Sequence, residues 1–193
     1  MTRPADGPHP GGPAILEARL PEAVARVILE LRRAEFRAVL VGGCVRDLVL
    51  GHDPRDWDVG TDARPEQVQD LFPKTVATGI EFGTVTVLAP EPVEVTTFRR
   101  EADYRDRRRP ARVAFTASLE DDLARRDVTV NAMAWEPEPP AGEGGQAGAG
   151  GGAGQGKPTA PWRGPLLDPF GGRADLARRL LRAVGEPEER FRE

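Results

Sequence analysis

The chain has 193 residues, with 27 Lys and Arg against 31 Asp and Glu, for a formal net charge of −4. That length suits one medium domain, or a domain with an extension, whose core is large enough to do without disulfides or a structural metal. Cys44 is the only cysteine and His9 and His52 the only histidines, which excludes an internal disulfide and a Cys/His zinc site, and no apolar run reaches the roughly 18 residues of a membrane span.

Residues 1–13 carry Pro4, Pro8, Pro10 and Pro13 and no apolar stretch of a secretory signal. They are expected to form a disordered tail on a cytoplasmic protein. Pro21 suits a first helical turn, after which Val24, Val27, Ile28 and Leu31 recur on one helical face. The apolar run 38–41 predicts a buried strand that ends in Gly42-Gly43, and 44–50 predicts a helix closed by Gly51. A second strand is expected at 56–59 and a helix at 65–72, with Pro65 at its start. The β-rich runs 83–88 and 93–98 flank a turn at 89–92 and predict a hairpin. Helices are expected at 119–126 and at 173–181, the latter with Leu176, Leu180 and Leu181 on one side.

Nine of the 17 residues in 141–157 are Gly, with prolines on both flanks, so 137–161 reads as a flexible Gly/Pro-rich insertion. It is expected to divide a main body, 14–136, from a C-terminal piece, 162–193. The mixture indicates an α/β (α+β) fold with a small mixed β-sheet flanked by helices. Basic residues are 25 Arg and two Lys, and seven Arg stand between Arg99 and Arg112 against three acids, a local charge of +4. An anionic partner suits that stretch, as does a solvated run balanced by its own acids.

The chemistry concentrates in 41–58, VGGCVRDLVLGHDPRDWD. A strand running through Gly42-Gly43 into a helix lets a phosphate approach the backbone, and Arg46, one turn on, adds a fork of donors. On a strand, Asp56 and Asp58 share one face while Trp57 turns to the other. Two parallel carboxylates repel, and a divalent cation offsets that repulsion, so the pair reads either as a magnesium site or as a solvated surface pair. A phosphate-type loop just upstream favours the former, since nucleotidyl transfer needs both parts. Glu94, between Val93 and Val95, either completes the metal site or faces water. Arg125, Arg126, Asp127 and Asn131 follow at 125–131. If helical, Asp127 and Asn131 share a face suited to an Arg or a sugar hydroxyl, the alternative being a salt-bridged helix start.

These pieces in this order resemble the class II tRNA nucleotidyltransferases, the CCA-adding enzymes, and the related bacterial poly(A) polymerases of the DNA polymerase beta superfamily. The resemblance is carried by GGCVRDLVLG (42–51) with DWD (56–58), FGTVTV (82–87), VEVTTFRREADYRDRRRP (93–110), LEDDLARRDVTVNAMA (119–134), LLDPFGGRADL (166–176) and LRAVGEPEERFRE (181–193). It implies a nucleotidyltransferase head domain that adds CTP- and ATP-derived nucleotides to the 3′ end of tRNA with Mg2+, without a template. On the same grounds Asp56 and Asp58 are the metal-binding pair; Glu94 joins them as a candidate catalytic carboxylate by its strand position alone. Gly42, Gly43 and Arg46 take the phosphates, and Arg125, Arg126, Asp127 and Asn131 contact the nucleotide, largely at its sugar. Glu193 corresponds to the first residue of a base-reading Glu-Asp-x-x-Arg motif, so 162–193 is expected to finish the head and start a helical neck, with neck, body and tail absent. The rivals are a poly(A) polymerase, a CC-only or A-only enzyme, a small-molecule nucleotidyltransferase, and an incomplete fragment that binds nucleotide or a protein partner.

Overall fold

The spacing of Val24, Val27, Ile28 and Leu31 decides the first packing contact, because all four are buried on one face of helix α1 (Glu22–Arg33). In a computed structural model of the chain, which describes residues 14–100, 113–140 and 160–190, that face lies on a mixed sheet. The strands are β1 (Ala14–Ala18), β2 (Ala38–Val41), β3 (Asp58–Thr61), β4 (Thr75–Gly79), β5 (Thr84–Ala89), β6 (Glu91–Thr97), β7 (Arg99–Arg100), β8 (Ala114–Phe115), β9 (Ala134–Trp135) and β10 (Trp162–Leu167). The other helices are α2 (Gly43–Val49), α3 (Pro65–Leu71), α4 (Leu119–Ala124), α5 (Gly172–Arg178) and α6 (Pro187–Arg190). Among the described residues no helix is long and apolar enough to cross a membrane.

Eight strands form one sheet in the order β1-β10-β9-β2-β3-β6-β5-β4, and β7 and β8 form a separate pair. Within the large sheet β3 and β6 run parallel, with Asp58 opposite Glu94 and Val59 opposite Val95, and the other pairs are antiparallel. Successive residues of a strand face opposite sides, so the two faces bury different sets. Leu40, Val59, Val85, Val87, Val93 and Val95 pack against α1 and α3 in the main core. Val39, Val41 and Phe98 turn the other way and meet Leu119 and Leu123 of α4. Gly60 is needed on this second face, where a Cβ would lie 2.9 Å from the Phe98 ring.

The α/β class and the flanking helices agree with expectation, but the sheet is larger than the small one expected, since β1, β4, β9 and β10 extend it. The described residues on either side of the Gly-rich stretch belong to one sheet. β9 and β10 are antiparallel neighbours, and Glu138 exchanges backbone hydrogen bonds with Arg163 at 2.8 and 3.2 Å, so the Gly-rich stretch joins adjacent strands of a single sheet. Residues 141–159, like the 1–13 tail, the 101–112 part of the Arg-rich stretch and 191–193, lie outside the described residues. The C-terminal helix is shorter than expected. Arg179 turns into the left-handed region at φ 55°, which ends α5 at Arg178; Leu176 still packs on the core, whereas Leu180 and Leu181 leave its face at 43% and 73% exposure.

Candidate active site

Local geometry at the end of β2 requires a glycine. Gly42 sits at φ 77°, a conformation that costs an L side chain energy, and its N–H donates to the Met133 carbonyl at 3.2 Å. A Cβ there would stand 2.8 Å from Arg126 Nη1 and 3.9 Å from Asp58 Oδ2. The missing side chain therefore lets a backbone turn, a guanidinium and a carboxylate meet. Gly43 opens α2, and Arg46 one turn later is already engaged: its Nη1 donates to Asn131 Oδ1 at 2.9 Å, while Nε and Nη2 donate to Asp47 Oδ1 at 3.0 and 2.8 Å.

Asp58 is the first residue of β3, which starts two residues later than the expected 56–59. Asp56 lies in the bend before the strand, so strand alternation does not align it with Asp58. The bend still brings the two charges together. Burial pushes the Asp58 carboxyl above its ordinary value, the neighbouring Glu94 pushes the same way, Arg126 opposes, and Asp56 adds a further upward push. Glu94 is exposed on β6 in register with Asp58, while its neighbours Val93 and Val95 are buried beneath it.

Asp122 organises the other side of the site and was not among the expected residues. It is buried in α4 and accepts from the Arg99 backbone N–H at 3.0 Å, Arg125 Nε at 3.0 Å and Arg126 Nη2 at 3.2 Å. Arg126 thus spans from Asp122 toward Gly42 and Asp58, with its Nη1 also donating to the Asn131 carbonyl at 3.4 Å. Burial lowers the Arg99 pKa, and Arg125 and Arg126 lower it further against the pull of Asp122. The signal for Asp122 was its spacing, three and four residues before Arg125 and Arg126 on a helix.

Helix α4 stops at Ala124, so Asp127 and Asn131 do not share a helical face. Asp127 is exposed in the following turn, where its carbonyl accepts from the Val184 N–H at 3.1 Å, and Asn131 ends a short 3-10 turn that faces Arg46. The structure brings together Gly42, Gly43, Arg46, Asp56, Asp58, Glu94, Arg126 and Asn131. Arg125 points to Asp122, and Asp127 stands at the edge.

Two clefts border the Asp56 and Asp58 carboxylates. One, of about 530 Å³, runs past Gly43, Arg46, Asp47 and His52. The other, of about 600 Å³, runs past Trp57, Thr86 and Glu94 to the start of α1. The resemblance carried by the sequence motifs implies a divalent metal at the carboxylates. Hard carboxylate oxygens set side by side suit such a cation. Among the described residues no group of three Asp, Glu, His or Cys side chains is assembled around one point. A site built from the carboxylate pair and completed by substrate oxygens fits that arrangement, since magnesium is commonly held by one or two carboxylates plus phosphates.

The chain is 43% identical over 168 residues to the CCA-adding enzyme of Bacillus licheniformis, covering 86% of this chain and 36% of that one. It is likewise 43% identical over 171 residues to the CCA-adding enzyme of Bacillus subtilis, again at 36% of the relative's length. The chain therefore spans about a third of the curated relatives it matches. A crystal structure of the Bacillus stearothermophilus CCA-adding enzyme in complex with CTP superposes with a TM-score of 0.67 at 38% identity, over 89% of this chain and 35% of that one. Residues 38–182, which hold the glycine turn, the carboxylates, Asp122 and the arginines it binds, match the poly A polymerase head domain, and the chain belongs to that family.

Proposed function

We propose that this chain is the nucleotidyl-transfer unit of an enzyme that adds CTP- and ATP-derived nucleotides to the 3′ end of tRNA. The observation that supports it most is the convergence of Gly42, Asp58 and Arg126, with Asp56 beside them, where two clefts meet. A nucleoside triphosphate on one side and an RNA 3′ end on the other would each face the same carboxylates.

In this reading Asp56 and Asp58 hold Mg2+, with Glu94 flanking Asp58. Bound there, the metal supplies Lewis-acid activation of the attacking hydroxyl and neutralisation of the triphosphate. Gly42 and Gly43 let the triphosphate approach the backbone, and Arg46 and Arg126 offer it guanidinium donors. Asn131 holds the Arg46 fork, and Asp122 holds Arg126. Asp127, exposed and near Arg126, is the candidate for a ribose hydroxyl. The RNA 3′-oxygen forms a bond to the α-phosphorus as the bond to the bridging oxygen of pyrophosphate breaks, and the hydroxyl proton passes to the carboxylate side of the site.

The test is incubation with Mg2+, labelled CTP and ATP, and tRNA lacking its CCA end, read as product length. Growth by C, C and A that stops is the expected result, and it should be lost in Asp56→Ala and Asp58→Ala while their circular dichroism stays native. A long A ladder would assign a poly(A) polymerase instead. Failure to extend any RNA, or retention of activity in both variants, would overturn the proposal.

A further inference from the structure

The two clefts that meet at Asp56 and Asp58 differ in chemistry. The smaller holds Gly43 and Arg46, the features suited to a triphosphate. The larger lies where the parallel strands β3 and β6 begin, and runs to the start of α1. Its described lining includes the acids Asp56, Asp58, Glu91 and Glu94, a single cation, Arg55, and one aromatic ring, Trp57.

We propose that this larger cleft receives the 3′-terminal nucleoside of an RNA strand, with its base against Trp57 and its phosphodiester on Arg55. This assignment rests on the nucleotidyl-transfer reading and adds its acceptor side. Both clefts carry four carboxylates and share Arg55, but the glycine turn and Arg46 stand only in the smaller and the indole only in the larger; a strand end brings about one negative charge per nucleotide, which one arginine can match. Arg55 is exposed and pairs with none of the described carboxylates, so its guanidinium is available to a phosphate. Trp57 is half-buried: part of the indole packs on the main core, which fixes its orientation, and part lines the cleft. A fixed indole stacks on any base, and such platforms bind single strands with little regard to sequence. Asp56 and Asp58 line the same cleft, so a terminal hydroxyl seated there faces the carboxylates that also border the triphosphate side.

The displacement of Asp56 from the strand makes this possible. On a regular strand Trp57 would face away from both carboxylates. Because β3 begins only at Asp58, the bend admits the indole and both acids to one cleft.

The fold provides its own probe. Trp135 and Trp162 are 0% and 1% exposed, so of the three tryptophans Trp57 alone can report directly on a ligand in the cleft. Titration of the 193-residue chain with a short RNA bearing a free 3′-hydroxyl should quench tryptophan emission saturably, and Trp57→Phe should abolish the change. CTP alone should leave the emission unaltered. In transfer assays Trp57→Ala should raise the RNA KM about 5- to 100-fold, the range of one lost base stack. The CTP KM should stay near its wild-type value and Trp57→Phe should restore most of the loss. Arg55→Ala, at an exposed position, should weaken RNA binding and flatten its salt dependence by about one charge. Quenching by CTP alone, binding of labelled RNA by anisotropy with no change in emission, or quenching by an acidic peptide but not by RNA would each overturn the assignment. Wild-type extension of RNA with unaltered Arg55 and Trp57 variants removes only this inference, whereas no extension by the wild type removes the nucleotidyl-transfer reading as well.

Discussion

Replacing Asp122 with alanine removes one acceptor from three donors: the Arg99 N–H, Arg125 Nε and Arg126 Nη2, at 3.0, 3.0 and 3.2 Å. The Asp122 side chain is 4% exposed, and those of Arg125 and Arg126 are 22% and 19%. Without the carboxylate, two guanidiniums that are mostly out of water lose a counter-charge and face Arg99, whose pKa their charges already lower. Removing one partner of a buried pair costs about 3–5 kcal/mol, whereas a surface pair is worth about 0–1 kcal/mol. At about 2–4 °C per kcal/mol for a chain of this size, the melting temperature should fall by roughly 6–20 °C. Asp122→Asn keeps an oxygen for the Arg99 N–H but turns an amide NH2 toward one guanidinium, so it should fall between the two, at about 1–3 kcal/mol. Thermal and urea unfolding followed by circular dichroism, at low and high salt, measures both variants. A buried pair is weakly screened, so the loss should persist at high salt. The nucleotide KM should rise in parallel, because Arg126 is no longer held toward Gly42 and Asp58. An Asp122→Ala variant that melts within about 2 °C of wild type, or whose loss vanishes at high salt, would refute the buried-clamp account.

Two further substitutions probe the same region from the front. Gly42 and Gly51 both have positive φ, 77° and 75°, but Gly42, at ψ −132°, lies outside the left-handed helical region, and only its Cβ would meet another group, Arg126. Gly51→Ala should lose about 1–2 kcal/mol of stability and Gly42→Ala more, while only Gly42→Ala should raise the nucleotide KM; equal transfer kinetics in the two would exclude the Arg126 contact. Cys44, buried under the turn with its thiol donating to the Val41 carbonyl at 3.2 Å, has a pKa pushed up to about 11 from 9.0, chiefly by burial. The folded state keeps a proton that the unfolded chain loses, so stability should drop by about 1.4 kcal/mol per pH unit between roughly 9 and 11. Denaturation curves across that range for wild type and Cys44→Ala check the sign, since the variant should lack this slope.

What was legible in the sequence was what short-range chemistry decides. The apolar run before Gly42-Gly43 formed β2, the 3.6-residue spacing of Val24 to Leu31 formed α1, and Pro65 opened α3. Three of the missed strands, β1, β9 and β10, depend on distant partners. β1 pairs with β10, near the other end of the chain, and β10 contains Gly164 and Pro165, which locally read as breakers. Gly164 is accepted there because its missing Cβ leaves room for the Glu136 carbonyl. Asp122 was hidden differently. Glu120, Asp121 and Asp122 read together as acids favoured at a helix N-terminus, and only the fold shows that the third turns inward under Arg99 and Arg126.

The carboxylate pair shows how a wrong local expectation conceals a useful arrangement. Asp56-Trp57-Asp58 as a strand would give two acids on one face and a core tryptophan on the other. In the folded chain the strand starts at Asp58, so the bend still sets Asp56 beside Asp58 while Trp57 packs on the core and lines the cleft. The repulsion among Asp56, Asp58 and Glu94 is opposed from one direction by Arg126, and Arg126 is in turn held by Asp122. A net charge of −4 thus conceals a layered order at the site: a buried acid, the arginines it binds, and then the outer acids Asp56, Asp58 and Glu94.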